Sequence, residues 1–525
     1  MKTDYELSYK DLKLKCDPKV FNFNTTADLD NAEPCVLGQE RGIKALQFGL
    51  SVDIKGYNLY LEGPTGVGKT MYTKQYVNLV AGKKKTPSDW CYIYNFDNPN
   101  EPIAVSLPAG KGKEFKDDME NFVKDIKKDL KKAFNNQDFE KEKALIKQEY
   151  EEKRANLLEK LNEKTIKEGF QVKASQSGIY MLPIINGQPI NEEDFAKLDE
   201  KIRAEFEERS QGVQEKIFEA IGQIKQLEKA NEKRLEEWQS NIALLTINVH
   251  INSIKIQYKK YKKITSYMEN IKKDILKNLK EFTTDGKQNT QQQQNPRVET
   301  PAPWQNYRVN LFIDNSAVEG APVIMDSNYS YQNLFGKLEY ENHYGMLKTD
   351  FTMLKPGLLH KANGGYIILQ AKDVISNPYT YEALKKALSI KELSIDNNME
   401  QRSSMVMISL KPEPIPLDIK VLLIGNGYLY QALLAQDEEF RKLFKIKVEF
   451  AEDAERTPEN MMKLATFVHN YCKKENLADL DPEAMAKVIE YASKLSNDRD
   501  KISTRFNDVA QIVGEESEGL CRRAE

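Results

Sequence analysis

The chain has 525 residues, 40% hydrophobic and 30% charged, with 77 Lys+Arg against 80 Asp+Glu and a net charge of -3. That length holds about three domains, and the near-balanced charge offers no global basic excess for gripping nucleic acid. Cys16, Cys35, Cys91, Cys472 and Cys521 are odd in number and lack CxxC spacing, which fits a reducing, cytoplasmic setting better than a disulfide framework. The polar start, Met1 to Lys10, is no signal peptide, and no run of about 18 apolar residues is present to span a bilayer.

Residues 1–110 read as an N-terminal segment and the first half of an α/β core. Tyr57–Leu61 and Cys91–Phe96 are short apolar runs with helical pattern between them, so a parallel sheet is expected. Directly after the first run stands Gly63-Pro64-Thr65-Gly66-Val67-Gly68-Lys69-Thr70, a full match to G-x-x-x-x-G-K-[ST]. Its glycines let successive backbone N–H groups converge on phosphate oxygens. Lys69 is expected to reach the β/γ-phosphates and Thr70 to offer its hydroxyl to Mg²⁺. The following helix sets its positive end behind the anion. The cofactors this implies are ATP and Mg²⁺.

Residues 111–283 are rich in Lys and Glu, with three apolar stripes at helical spacing. These are Phe115, Met119, Phe122, Ile126 and Leu130; Val213, Ile217, Ile221, Ile224 and Leu227; and Ile264, Met268, Ile271, Ile275 and Leu279. They predict inserted helical, coiled-coil arms. Gly169–Asn191 interrupts them, and Asn186-Gly187 between apolar runs predicts a small hairpin tip. Residues 284–305, with four consecutive glutamines and three prolines, read as a low-complexity linker.

Residues 306–456 return to α/β pattern as the second half of the core, with strands over Val309–Ile313, Tyr366–Leu369 and Val421–Ile424. Residues 457–525 are helical throughout, and the chain stops within a helical pattern without Gly, Asn or Pro to end it, as a truncated chain would. The four histidines, His250, His343, His360 and His469, form no metal-ligand spacing.

Several of these segments resemble one family. Val36–Leu46 is similar to the glycine turn and helix that cover the adenine in AAA+ proteins. Lys355–Leu369, with His360-Lys361-Ala362-Asn363-Gly364-Gly365, resembles a segment of the Lon-like ATPases, peptidase family S16, in their LonB-type branch. Asn333–Gly336, Gly345–Thr352 and the helical insertion have the same character. The resemblance implies an AAA+ P-loop fold with a long helical insertion and an all-α lid at residues 457–525. It implies that Asn426, ending Val421–Gly425, orients the attacking water as sensor 1. Arg441 becomes the finger that reaches a neighbouring subunit's nucleotide, and Arg505 the sensor-2 contact to phosphate. A homo-oligomeric, hexameric ring follows, acting on unfolded protein, with the Ser–Lys peptidase domain of the full-length protein lying beyond the lid.

One departure stands out. Where AAA+ motors carry Asp-Glu, this chain has Gln370 and Ala371. Either hydrolysis is slow or another acid, such as Asp373 or Glu382, substitutes. That departure keeps a second reading open, a non-proteolytic remodelling or scaffold ATPase. A third is a coiled-coil ATPase acting on DNA, but no LSGGQ-like signature is present, and Lys259, Lys260, Lys262 and Lys263 read as a solvated helix face.

Overall fold

The computed structural model describes residues 14–29, 37–175, 178–185, 187–191, 195, 199–279, 282, 303–343, 346–395 and 410–524. The linker expected over 284–305 lies outside them up to residue 302, as do Cys35, Val36, Asn186 and Gly345. The chain forms two compact units, Met1–Lys116 with Val309–Glu525, and Asp117–Arg308.

The first unit is built on strands dominated by buried apolar residues. After helix α1 (Glu40–Ser51) come β1 (Leu59–Glu62) and α2 (Lys69–Ala81), then β2 (Asp89–Ile93) and β3 (Ile103–Leu107). Beyond the second unit follow β4 (Val309–Ile313), β5 (Val323–Met325), β6 (Tyr366–Gln370), α3 (Ala371–Ile375) and α4 (Pro378–Ile390). Then come β7 (Lys420–Gly425), α5 (Gly427–Gln436), α6 (Glu438–Leu443) and β8 (Ile446–Glu449). Five strands make a sheet in the order β8–β1–β7–β6–β5, every pair parallel. Leu59, Tyr60, Leu61, Ile367, Ile368, Leu369, Leu422 and Leu423 are all fully buried, the continuous apolar run that a parallel sheet covered on both faces requires.

Alternation along β1 assigns its two faces. Leu59 and Leu61 join a core with Val67 and Val77 of the loop and α2, and with Leu464 and Ile489 further on. Tyr60 joins the opposite core, with Leu384 of α4, Leu433 of α5 and Phe440 of α6.

The sequence placed β1 and β2 in one parallel sheet, and the structure corrects this. β2 pairs antiparallel with β3 and with β4 in a separate three-stranded sheet. The cause is local. Buried Asp89 of β2 accepts the Asn315 N–H at 2.8 Å, just past β4, and the Gly112 N–H at 2.9 Å. Both long sides of β1 are meanwhile taken by β7 and β8.

The C-terminal helices α7 (Pro458–Glu475) and α8 (Pro482–Ser496) each begin with a side-chain cap followed by proline. Thr457 accepts from the Asn460 N–H and Asp481 from the Ala484 N–H. Asn476 and Asn497 end them in the left-handed region, where Asn is tolerated. Helix α9 (Phe506–Ala524) completes this C-terminal group of helices.

The second unit is helical. Besides its share of Lys111–Phe134 it has helices over Gln137–Ile166, Glu200–Gln257 and Lys262–Lys277. The 58-residue Glu200–Gln257 helix is about 87 Å long at the standard rise per residue. Met119, Phe122, Ile126, Leu130, Val213, Ile217, Ile264, Met268, Ile271 and Ile275 are buried along these stripes. The tip is a hairpin of Phe170–Ser175 against Gly178–Ile185, extended by Gln188–Pro189. Ile185 pairs with Gln188, and Gly187 between them has φ 80, a conformation that glycine favours. Ile179 and Met181 pack on Phe170, Val172, Val213 and Ile217, whereas Tyr180 of the same strand is exposed.

Candidate nucleotide site

The parallel sheet sends the carboxyl ends of β1, β6 and β7 to one edge, and the loop from β1 to α2 crosses that edge. Gly66 and Gly68 in this loop have φ of 93 and 76. A Cβ at Gly68 would come within 3.1 Å of the Tyr72 ring, so both conformation and space favour glycine there. The Lys69 ammonium folds back under the loop, donating to the Gly63 and Pro64 carbonyl oxygens at 2.5 Å each. Burial lowers its pKa from the ordinary lysine value.

A cavity of about 490 Å³ opens beside this loop. Gly63, Thr65, Gly66, Gly68, Lys69, Thr70 and Met71 line one side. Gln370 at the end of β6, Lys372 of α3, Ile424, Gly425 and Asn426 at the end of β7, and Leu429 of α5 line the other. Asn507 of α9 closes it, its Cβ 3.4 Å from where a Cβ on Gly66 would stand.

Asn426 is the N-cap of α5. Its side-chain oxygen accepts the Leu429 N–H at 2.8 Å, which leaves its NH₂ group without a hydrogen-bond partner among the described residues. Next to it, Tyr60 donates its hydroxyl to the Asn426 carbonyl at 3.0 Å. A Cβ on Gly425 would lie 2.0 Å from the Tyr60 oxygen and 3.2 Å from the Ala371 methyl. Ala371 is itself fully buried. The ground beside Gly425 is therefore filled by a phenol and a methyl group.

Of the residues singled out from sequence, Gly63, Pro64, Thr65, Gly66, Val67, Gly68, Lys69, Thr70 and Asn426 fall in or beside this cavity. Arg441 and Arg505 do not line it. Arg441, exposed on α6, donates to the carbonyl oxygens of Leu434 and Ala435 at the end of α5. Arg505 places its Nη2 2.5 Å from Glu452 Oε1 on the surface. Asp373 and Glu382 are also outside the lining, and Glu382 pairs with Lys385 at 2.8 Å. Met71, Lys372, Leu429 and Asn507 were not singled out from sequence.

The start of α1 is tied to the same edge. Gln39 donates to the Ala451 carbonyl at 2.9 Å and accepts the Ala451 N–H at 2.8 Å, and Thr504 donates to the same carbonyl at 2.6 Å. One backbone position beyond β8 thus holds both the glycine turn before α1 and the lead-in to α9.

The side-chain oxygens lining the cavity, those of Thr65, Thr70, Gln370, Asn426 and Asn507, are neutral, and no Asp or Glu is among the lining residues. A Mg²⁺ held by a protein carboxylate does not fit this donor set. Elsewhere, no group of three or more His, Cys, Asp or Glu among the described residues is placed to hold a metal ion. His360 is buried against Phe312, with ring centroids 4.9 Å apart, and His469 meets Asp479 at 2.9 Å.

The five-stranded parallel sheet with its phosphate loop, end-of-strand asparagine and helical lid defines a P-loop ATPase of the AAA+ class. Residues 319–451 match the family model for a LonB-like AAA domain. Residues 479–524 match the archaeal LonB AAA+ ATPase lid, and residues 89–122 the Lon-like LonC helical domain. Over these stretches the chain is similar to LonB-type and LonC-type Lon proteins. The archaeal Lon protease of Thermoplasma volcanium is 23% identical over 209 residues, 39% of this chain and 31% of that protein. That of Thermoplasma acidophilum is 24% identical over 207 residues, 38% of this chain and 29% of that protein. The matched stretch thus spans about a third of those relatives. Among solved structures, NtrX from Brucella abortus overlaps 38% of this chain and 41% of its own at 14% identity and TM-score 0.26, too little to carry an argument.

Proposed function

We propose that this chain is the ATP-binding unfoldase module of a Lon-like ATP-dependent protease working in the cytoplasm. The observation that carries this reading is the gathering of Lys69, Thr70, Asn426 and Asn507 around one cavity on a Lon-like ATPase domain. Nucleotide binding would order subunits into a ring, with a hexamer as the expected form. Arg441, which does not line its own subunit's cavity, would act on a neighbour's nucleotide and stabilise transition-state charge there. Arg505 would leave Glu452 to contact phosphate from the lid.

The helical arms would engage unfolded polypeptide through the hairpin tip. Tyr180 is exposed there, and Phe170, Met181, Leu182, Pro183 and Phe206 border a cavity of about 180 Å³ in the same unit. Peptide-bond cleavage would fall to a Ser–Lys domain that accompanies this module. Three free thiols, Cys16, Cys91 and Cys472, are buried, which suits a reducing compartment, and among the described residues no helix is long and apolar enough to cross a membrane.

Gln370 and Ala371 favour a second reading, a remodelling or scaffold ATPase that holds nucleotide and turns it over slowly. Measuring ATP turnover and protein unfolding on the purified chain separates the two. ATP-driven unfolding of a tagged substrate at a turnover above about 1 s⁻¹ supports the unfoldase. Tight ATP binding with no unfolding supports the scaffold, and no ATP binding rejects both.

A further inference from the structure

The nucleotide cavity carries two lysines and no acid. Lys69 sits in the phosphate loop, and Lys372 enters from α3 on the far side of Gln370. Lys372 is exposed, and its ammonium makes no ion pair or hydrogen bond with any described residue. Lys69, by contrast, is already engaged by the Gly63 and Pro64 carbonyls. Where Mg²⁺ normally meets a protein carboxylate, this chain presents the neutral Gln370 amide, and Ala371 beside it is buried and apolar. A triphosphate entering the cavity brings about four negative charges and meets only cationic and neutral lining side chains, while Glu62, beside Gly427 at the same edge, is paired with Lys447. In such a setting a free ammonium within reach of the phosphates replaces part of the charge that a metal supplies elsewhere.

We propose that this pocket binds a nucleoside triphosphate without a protein-held divalent cation, and that Lys372 is its second phosphate-binding cation beside Lys69. The proposal rests on the nucleotide reading above and deepens it. It makes Lys372 a specificity-determining residue: it favours a triphosphate over a diphosphate, because the added negative charge has a cation waiting. It also makes nucleotide occupancy insensitive to the divalent-ion concentration.

The test is ATP and ADP binding by calorimetry on the full chain, with Mg²⁺ and again with EDTA. The expected wild-type result is an ATP Kd that changes less than about threefold between the two conditions. Lys372→Ala should weaken ATP binding in EDTA by about 10-fold or more, the scale of one charge-assisted phosphate contact. It should weaken ADP binding less, and Lys372→Arg should restore ATP binding. Because Lys372 is exposed, the variant keeps its fold, and an unchanged melting curve checks this. Gln370→Asp should introduce metal dependence, with ATP bound at least about tenfold more tightly in Mg²⁺ than in EDTA. Wild-type ATP affinity that drops threefold or more in EDTA overturns the proposal, as does Lys372→Ala binding like wild type. A wild-type chain that binds ATP in neither condition overturns the nucleotide reading itself, a different result from either of these.

Discussion

Lys385 Nζ lies 2.9 Å from Asp437 Oδ2, an ion pair in which the lysine side chain is only 6% exposed. The pair joins α4 to the start of α6, the helix that bears Arg441. Asp437 does three things at once. Its Oδ1 accepts the N–H groups of Glu439 and Phe440 as the α6 cap, and its Oδ2 also accepts the Tyr381 hydroxyl at 2.8 Å.

Asp437→Ala should cost about 3 kcal/mol, because it removes a cap and leaves an ammonium facing a partly desolvated site. Glu382 and Glu439, at 2.8 and 3.4 Å from Lys385, keep the loss from being larger. Asp437→Asn retains a capping oxygen and should cost less. Urea denaturation of both variants measures the difference. A cost under about 0.5 kcal/mol for the alanine variant would show that α6 is not held this way.

His360 sets an acid limit to stability. Desolvation drives its pKa from 6.5 down to about 3, and it stays neutral in the folded chain. The unfolded chain takes up the proton near pH 6.5, so folding loses stability as pH falls from there toward 3. The slope is about 1.4 kcal/mol per pH unit for this one group. Asp437 acts at lower pH. Burial raises its pKa, but hydrogen bonds from Lys385, Phe440 and Tyr381 outweigh that and hold it below the usual carboxylate value. Its contribution is therefore present above about pH 4 and fades below. In urea titrations between pH 7 and 5, His360→Phe should remove one proton's worth of slope while Asp437→Ala leaves that slope unchanged.

Gly425→Ala should cost about 2 kcal/mol through overpacking. The added methyl would sit 2.0 Å from the Tyr60 oxygen and 3.2 Å from the Ala371 methyl. Tyr60→Phe in the same chain removes the nearer clash and should recover part of the loss. Thermal melts of the single and double variants read this directly, and equal melting of Gly425→Ala and wild type would contradict the packing described.

Arg441→Ala should leave folding nearly intact, since an exposed arginine bonded to two helix-end carbonyls contributes little, on the order of 0.5 kcal/mol. If Arg441 serves a neighbouring subunit, ATP affinity should hold while turnover falls about 100-fold or more. Mixing Arg441→Ala with Lys69→Ala chains should then restore some turnover, because each supplies what the other lacks.

Much of the fold was legible because the strands are short runs dominated by apolar residues. Val309–Ile313 reads identically in sequence and structure, and Tyr366–Gln370 and Lys420–Gly425 extend the expected runs by one residue or one at each end. At the tip, the glycine after Asn186 was a legible turn signal, and Gly187 takes a positive φ beside the Ile185–Gln188 pair. Pairing was not legible. Asp89 gave no sign in the sequence that its carboxylate would bind backbone N–H groups 23 and 226 residues away. β5 and β8 were too short to show a period against their neighbours. At the site, the phosphate loop is contiguous and was read whole. Lys372, Leu429 and Asn507 come from three separate helices, and only the folded sheet edge brings them to one cavity.

The packing beside Gly425 also restricts how this enzyme could change. A glutamate placed at 371 would put its side chain into a fully buried position, where the phenol of Tyr60 already occupies the adjoining ground. Tyr60 and Ala371 thus constrain each other, so an acid at 371 is accommodated only together with a smaller residue at 60.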